Sequence, residues 1–254
     1  MQEQKTQKTQ KRVAVVTGGG RGIGAAICAR LARDDLYVMV ADLDQANAQS
    51  IADAIMASGG SAAAVALDVT DRDAVRGIFN EIADGLGRID VLVNNAMWIR
   101  YDPILEITED SVDRMVDVGF KALIWTTQAA FPHMPKDGTG TVINMSSPAS
   151  VRGVPGSAVY SAVKGAVSSF TRQASGELGR QGVRVNGIIP GAVPTEGARS
   201  VVDEDGYELR RKSNPLGRLG DAEDIAAAVS FLASKDASYV NGHLLAVEGG
   251  LLAS

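Results

Sequence analysis

The chain has 254 residues, 45% of them hydrophobic and 22% charged, enough to bury the core of one large α/β domain. Aromatics are only 5% while glycine numbers 28, which suits helices packed closely on a sheet better than an all-β sandwich. Lys plus Arg at 25 against Asp plus Glu at 30 leaves a net charge of −5, which disfavours a nucleic-acid partner, and the single cysteine, Cys28, excludes an internal disulfide framework and a cysteine-based zinc site.

Residues 1–11 form a polar Gln/Lys/Thr tail that cannot bury surface and is expected to be disordered. The tail carries charges but no apolar h-region, and no stretch approaches the roughly 18 apolar residues of a membrane helix. A cytoplasmic protein without a membrane partner is the expectation. From Arg12 onward, short apolar runs at 13–17, 36–41, 62–67, 89–93, 141–145, 183–189 and 243–247 read as strands. Most are continuously apolar, as strands buried on both faces of a parallel sheet must be. Helix-like segments lie near 23–33, 45–58, 71–85, 108–131, 158–179 and 221–233, several opened by capping residues such as Asp71, Thr108 and Asp221. This alternation predicts a single α/β domain over 12–254, a Rossmann-type doubly wound parallel sheet of about seven strands with helices on both faces. The longest departure, residues 190–216, follows a strand end, has only short helical potential, and reads as a substrate lid at about 194–216.

The first strand runs into Thr17-Gly18-Gly19-Gly20-Arg21-Gly22-Ile23-Gly24-Ala25, and a helix follows. Glycines allow a tight turn and close backbone approach, while the helix N-terminus offers amides to a pyrophosphate. Asp42, followed by Leu43, ends the second strand 20 residues beyond Gly22, where a carboxylate can accept both adenosine ribose hydroxyls and repel a 2′-phosphate. NAD is therefore favoured over NADP, although Arg21 argues weakly the other way, because a guanidinium there can accept that phosphate.

After the fifth strand come Ser146 and Ser147, and Tyr160 lies 13 residues beyond Ser147 with Lys164 four further on. On a helix the last two share one face. A free tyrosine, with a pKa near 10, is a weak acid–base at neutral pH. A lysine cation one turn away is expected to stabilise the phenolate and lower that pKa, while Ser147 binds the substrate oxygen. In isolation a Tyr–Lys pair at this spacing is a commonplace helix pair. Its position after a dinucleotide loop and a serine-bearing strand end is what points to chemistry.

Together with LDV at 67–69, NNA at 94–96, YSAVK at 160–164, PGAVPT at 190–195 and VNGHLLAVEGG at 240–250, these motifs resemble the short-chain dehydrogenase/reductase family from about Arg12 to the C-terminus. The closest branches in pattern are the 3-oxoacyl-carrier-protein reductases and the secondary alcohol dehydrogenases. The resemblance implies that Asp68 and Val69 contact the adenine, that Asn94 borders the adenosine ribose and braces the central strand, and that Ala96 belongs to the cofactor site. It also implies that Tyr160 is the general acid/base, that Lys164 binds the nicotinamide ribose, and that Pro190, Val193 and Thr195 surround the carboxamide. A homotetramer is implied by the same likeness.

Two positions depart from the family pattern. Gly119 stands where the family has an asparagine that helps hold a proton-relaying water, and Met97 stands where NNAG would be usual. Met97 with Trp98 either walls the substrate pocket or packs under the loop. Met97, Trp98, Pro148, Ala149, Val154 and the lid are expected to line an apolar pocket for a neutral secondary alcohol or ketone. No metal is expected, since His133 and His243 have no ligand-like spacing. The activity expected is hydride transfer between NAD(H) and such a substrate. The alternatives are an NADPH-dependent 3-oxoacyl reductase, or an NAD-sensing binding protein with weakened catalysis.

Overall fold

The apolar runs become seven strands in the computed structural model, which describes residues 11–254. They are β1 (Val13–Thr17), β2 (Tyr37–Asp42), β3 (Ser61–Ala66), β4 (Val91–Asn94), β5 (Gly140–Met145), β6 (Val183–Pro190) and β7 (Leu244–Val247). All neighbours pair in parallel, in the order β3-β2-β1-β4-β5-β6-β7. Every residue of β1, β4 and β5 is buried, which explains why these runs do not alternate.

The helices are α1 (Gly22–Arg33), α2 (Gln45–Ala57), α3 (Arg72–Leu86), α4 (Glu109–Val116), α5 (Ala122–Ala130), α6 (Ala158–Gly179), α7 (Glu196–Arg199), α8 (Glu204–Ser213) and α9 (Ala222–Ala233). One apolar cluster joins Ile27 and Leu31 of α1 to Val38, Val40, Ile225, Val229 and Leu232, and draws Ala14 and Val16 from β1. The other joins Phe79 and Ile82 of α3 to Leu92, Val142 and Val185, and draws Val13 and Val15. The alternate side chains of β1 thus feed two cores, one on each face of the sheet.

The expected caps form. Asp71 accepts the amides of Asp73 and Ala74, Thr108 accepts that of Ser111, and Asp221 with Asp224 makes a capping box. Two segments differ from the sequence expectation. The single helix expected over 108–131 is interrupted by a π-helical turn, Asp117–Lys121, that contains Gly119. The 190–216 segment holds a ten-residue helix, α8, capped by Asp203 and tied along its length by Glu208 to Arg211 and Lys212. Lys11, assigned to the disordered tail, lies 2.6 Å from Asp35 and donates to Ser61; residues 1–10 of that tail lie outside the described residues. Among the described residues no helix is long and apolar enough to cross a membrane. Because β1 sits between β2 and β4, the chain leaves the sheet in opposite directions there, and a crevice opens beyond the carboxyl ends of β1 and β4.

Candidate active site

At that crevice the backbone is drawn tight. Gly18 turns with φ +62°, and a Cβ on it would stand 2.9 Å from the Cα of Ala96. One on Gly24 would stand 2.0 Å from the Gly18 carbonyl oxygen. Asn95 holds the two strand ends together, donating its Nδ2 to the carbonyls of Thr17 at 3.0 Å and Gly18 at 2.9 Å. Its own amide and that of Ala96 both donate to the Thr17 hydroxyl. Helix α1 starts with no side-chain cap and no acidic residue in its first turn, so its own residues do not compete with an anion for the leading amides. The Asp42 carboxylate is fixed beside this loop by the amides of Gly20 at 2.9 Å and Asp44 at 3.1 Å, with exposed Leu43 next to it. A cradle that admits only glycine, an uncapped helix start and a fixed carboxylate fit a dinucleotide.

The other residues expected around a cofactor are placed as follows. Asp68 accepts the amide and hydroxyl of Thr70, and Val69 is buried beside it. Asn94 donates to Asn144 at 2.9 Å and accepts from Thr126 at 2.6 Å, which is the bracing half of its implied role. Pro190 ends β6, Val193 is buried, and Thr195 caps α7 against Gly22, where an added Cβ would lie 3.1 Å from the threonine methyl. Arg21 reaches over this junction to Glu196 at 3.4 Å, tying the glycine loop to the start of the lid.

The strand end of β5 organises the chemistry. Ser146 hydrogen-bonds the Ser168 hydroxyl at 2.7 Å and the Lys164 carbonyl at 3.2 Å, and so pins α6 to the sheet. This places Ser147 close enough to Tyr160 to pull its phenol pKa down. Lys164, 5% exposed, donates its Nζ to the Met145 carbonyl at 2.7 Å and lies 5.8 Å from the Tyr160 ring centroid. Burial pushes the phenol up to about 12, with Ser147 pulling it the other way, and burial brings the Lys164 ammonium down to about 8. Against the expectation that the lysine lowers the phenol, burial is the largest influence in this state and raises it, with Ser147 and Arg210 opposing. At neutral pH the site presents a protonated phenol beside a serine hydroxyl, an arrangement suited to donating a proton to a carbonyl oxygen.

Around this trio, Ala149 donates its amide to the Ser147 oxygen in the turn begun by Pro148, and the Val154 carbonyl accepts the Ser157 hydroxyl. Trp98 lays its ring over the Arg114 guanidinium of α4 at 4.5 Å. The two family departures meet each other. A Cβ on Gly119 would stand 2.7 Å from the Met97 sulfur and 2.6 Å from a Val163 methyl, so the thioether occupies the space a side chain at 119 would need. Beside them a cavity of about 10 Å³ lies among Thr17, Asn94, Gly119, Thr126 and Lys164. Cys28 is fully buried and its thiol is pushed up by desolvation, as befits a packing residue.

Sequence reasoning missed Asn95, Tyr207 and Arg210. The Asn95 amide bonds join chain segments nearly 80 positions apart, which no local pattern reveals. Tyr207 and Arg210 sit on α8, and their i, i+3 spacing was the available signal. The Tyr101 ring packs 5.8 Å from that of Tyr160, at an interplanar angle of 60°.

The fold, its glycine cradle and the relatives it matches define the class: NAD(P)-dependent oxidoreductases acting on CH–OH groups. Within that class the chain belongs to the short-chain dehydrogenase/reductase family. A family model described as enoyl-(acyl carrier protein) reductase matches residues 18–252. An uncharacterized oxidoreductase of Methylorubrum extorquens is 40% identical over 248 residues, covering 96% of this chain and 99% of that one. The meso-2,3-butanediol dehydrogenase of Serratia marcescens is 38% identical and covers 96% and 95%. The crystal structure of a putative NAD(P)-dependent gluconate 5-dehydrogenase from Beutenbergia cavernae, with NADP bound at low occupancy, superposes with a TM-score of 0.90 at 36% identity, covering 96% and 97%.

Proposed function

We propose that this protein is an NAD(H)-dependent dehydrogenase that interconverts a secondary alcohol and a ketone, with Tyr160 as general acid/base. The observation that carries the reading is Lys164, its Nζ 5.8 Å from the Tyr160 ring centroid and bonded to the Met145 carbonyl, beside Ser147 at the strand end that borders the glycine cradle. NAD held by Gly18, Arg21 to Gly24, Asp42, Asp68, Val69 and Asn94 would supply or accept the hydride. Ser147 donates its hydroxyl to the substrate oxygen. In the reductive direction Tyr160 gives its proton to that oxygen as negative charge grows there. In the oxidative direction the phenol must first lose its proton, which burial disfavours, so oxidation gains from higher pH and from charge on Lys164. The lid closes the opposite side, its base held by the Asn214 side chain on the Glu248 carbonyl at 2.8 Å.

The preference for NAD rests on Asp42, whose fixed carboxylate would oppose a 2′-phosphate, while Arg21, the cation nearest in sequence to the glycine loop, is drawn to Glu196. Relatives named for butanediol and for gluconate leave both neutral and carboxylate-bearing alcohols open as substrates. Fluorescence titration tests the cofactor preference. NADH should bind about tenfold more tightly than NADPH, and Asp42→Ala should shrink that ratio, since each factor of ten is ~1.4 kcal/mol. Equal or tighter NADPH binding by the unmodified protein would overturn the assignment.

A further inference from the structure

The lid carries four cationic side chains on α7 and α8, and three of them are matched by carboxylates. Arg199 pairs with Glu204, and Arg211 and Lys212 share Glu208. The fourth, Arg210, makes no ion pair among the described residues, although it is half-buried. Its charge acts on three phenols, those of Tyr101, Tyr160 and Tyr207, and pulls each of them down. The Tyr101 ring stands 5.8 Å from the Tyr160 ring, so the cation reaches the catalytic phenol through a single aromatic neighbour.

Tyr207 supplies an independent observation. It lies one turn before Arg210 on the same face of α8, it is only 3% exposed, and its hydroxyl has no hydrogen-bond partner among the described residues. An orphaned buried hydroxyl is costly, as is a partly desolvated cation without a counter-charge. Glu204, the carboxylate whose charge reaches this cluster, is already engaged by Arg199. Three phenol rings and an unmatched guanidinium therefore converge at the mouth of the site, and one oxyanion would satisfy both the cation and the free hydroxyl. Arginine holds two donors in a fork that matches a carboxylate.

We propose that the substrate carries a carboxylate, bound by Arg210 and Tyr207 on the lid with Tyr101 on the loop after β4, so that the enzyme acts on a hydroxy acid and its keto acid. This rests on the dehydrogenase reading above and replaces the neutral substrate expected from the apolar lining. With NAD⁺, the hydroxyl carbon loses a hydride to the nicotinamide, the hydroxyl proton passes to Tyr160, and the carboxylate is unchanged.

The test compares kcat/KM for 3-hydroxybutanoate, 4-hydroxypentanoate and 5-hydroxyhexanoate with that for the corresponding amides, at matched ionic strength. A charge-assisted contact predicts a preference for the acid of about tenfold to a hundredfold, expressed mainly in KM, for at least one chain length. Arg210→Gln should bring that acid-to-amide ratio close to one, with Arg210→Lys falling between. Pentanoate, which cannot react, should protect the NADH complex against thermal unfolding more than pentanamide does, and Arg210→Gln should abolish the difference. The proposal falls if amides turn over as well as acids and pentanoate protects no better than pentanamide. It falls equally if Arg210→Gln lowers acid and amide alike, since the arginine is then a clasp that seats α8 on Tyr101. Failure of the dehydrogenase reading looks different: no acid, amide or simple diol would be oxidised at all.

Discussion

Burial moves Tyr160 and Lys164 in opposite directions, and each shift couples to folding. Lys164 has a folded pKa of about 8, below its ordinary value, so the unfolded chain binds the extra proton through the interval above 8. Its contribution to stability is present at high pH and is lost as pH falls towards 8. Tyr160, raised to about 12, contributes stability below its ordinary value near 10 and loses it as pH rises towards 12. Melting temperatures of the unmodified protein and of Lys164→Met, compared between pH 8 and 10, should show the unmodified protein gaining on the variant as pH rises. Parallel curves would mean that the ammonium is not desolvated. The Tyr–Lys spacing was legible because the periodicity of a helix puts i and i+4 on one face. The direction of the phenol's shift was not, because it depends on how tightly β5, α6 and the Tyr101 loop close around it.

Three segments meet at Gly119: the π turn between α4 and α5, the loop after β4, and α6 through Val163. The sequence showed the two departures from the family pattern as separate oddities. Packing makes them one, since Met97 fills the volume that a side chain at 119 would require. Gly119→Asn alone should therefore overpack the junction and cost about 1–3 kcal/mol in urea denaturation. Combining it with Met97→Gly should return part of that loss, a coupling measurable in a double-mutant cycle. Additive effects would show that the thioether swings away freely. The π turn itself was illegible, because an extra residue in one turn leaves the hydrophobic period of 108–131 almost unchanged. Residues 190–216 were legible as an interruption with three prolines, but the α8 helix within them is stabilised by the Asp203 cap and the Glu208 pairs, short-range polar contacts that hydrophobic patterning does not register.

The sheet separates stability from chemistry by its polarity. At the amino ends of β1 and β4, fully buried Asp90 accepts the Val13 amide at 2.8 Å and two donors of Arg88 at 2.8 and 2.5 Å. All of the reactive residues lie beyond the opposite ends. Asp90→Ala strands the arginine and the strand amide, and should cost about 3 kcal/mol of unfolding free energy while leaving kcat/KM near its original value. A loss of activity in the still-folded variant would break that separation. The strand order was legible from βαβ alternation, since right-handed crossovers leave few topologies, and the crevice followed from it. The approach of the lid to the Tyr101 loop, on which the carboxylate proposal draws, is tertiary, and so the cation of Arg210 went unseen in the sequence. The account as a whole stands on the proton carried by Tyr160. Absorbance of reduced nicotinamide, followed with NAD⁺ and the diol and hydroxy-acid panel for the unmodified protein and for Tyr160→Phe, tests it most directly. Turnover by the unmodified protein that falls by a factor of about 10² or more in the variant, with NADH still bound, is the predicted result. A variant that turns over at the original rate, or an unmodified protein that binds NADH and oxidises nothing in the panel, would contradict the account.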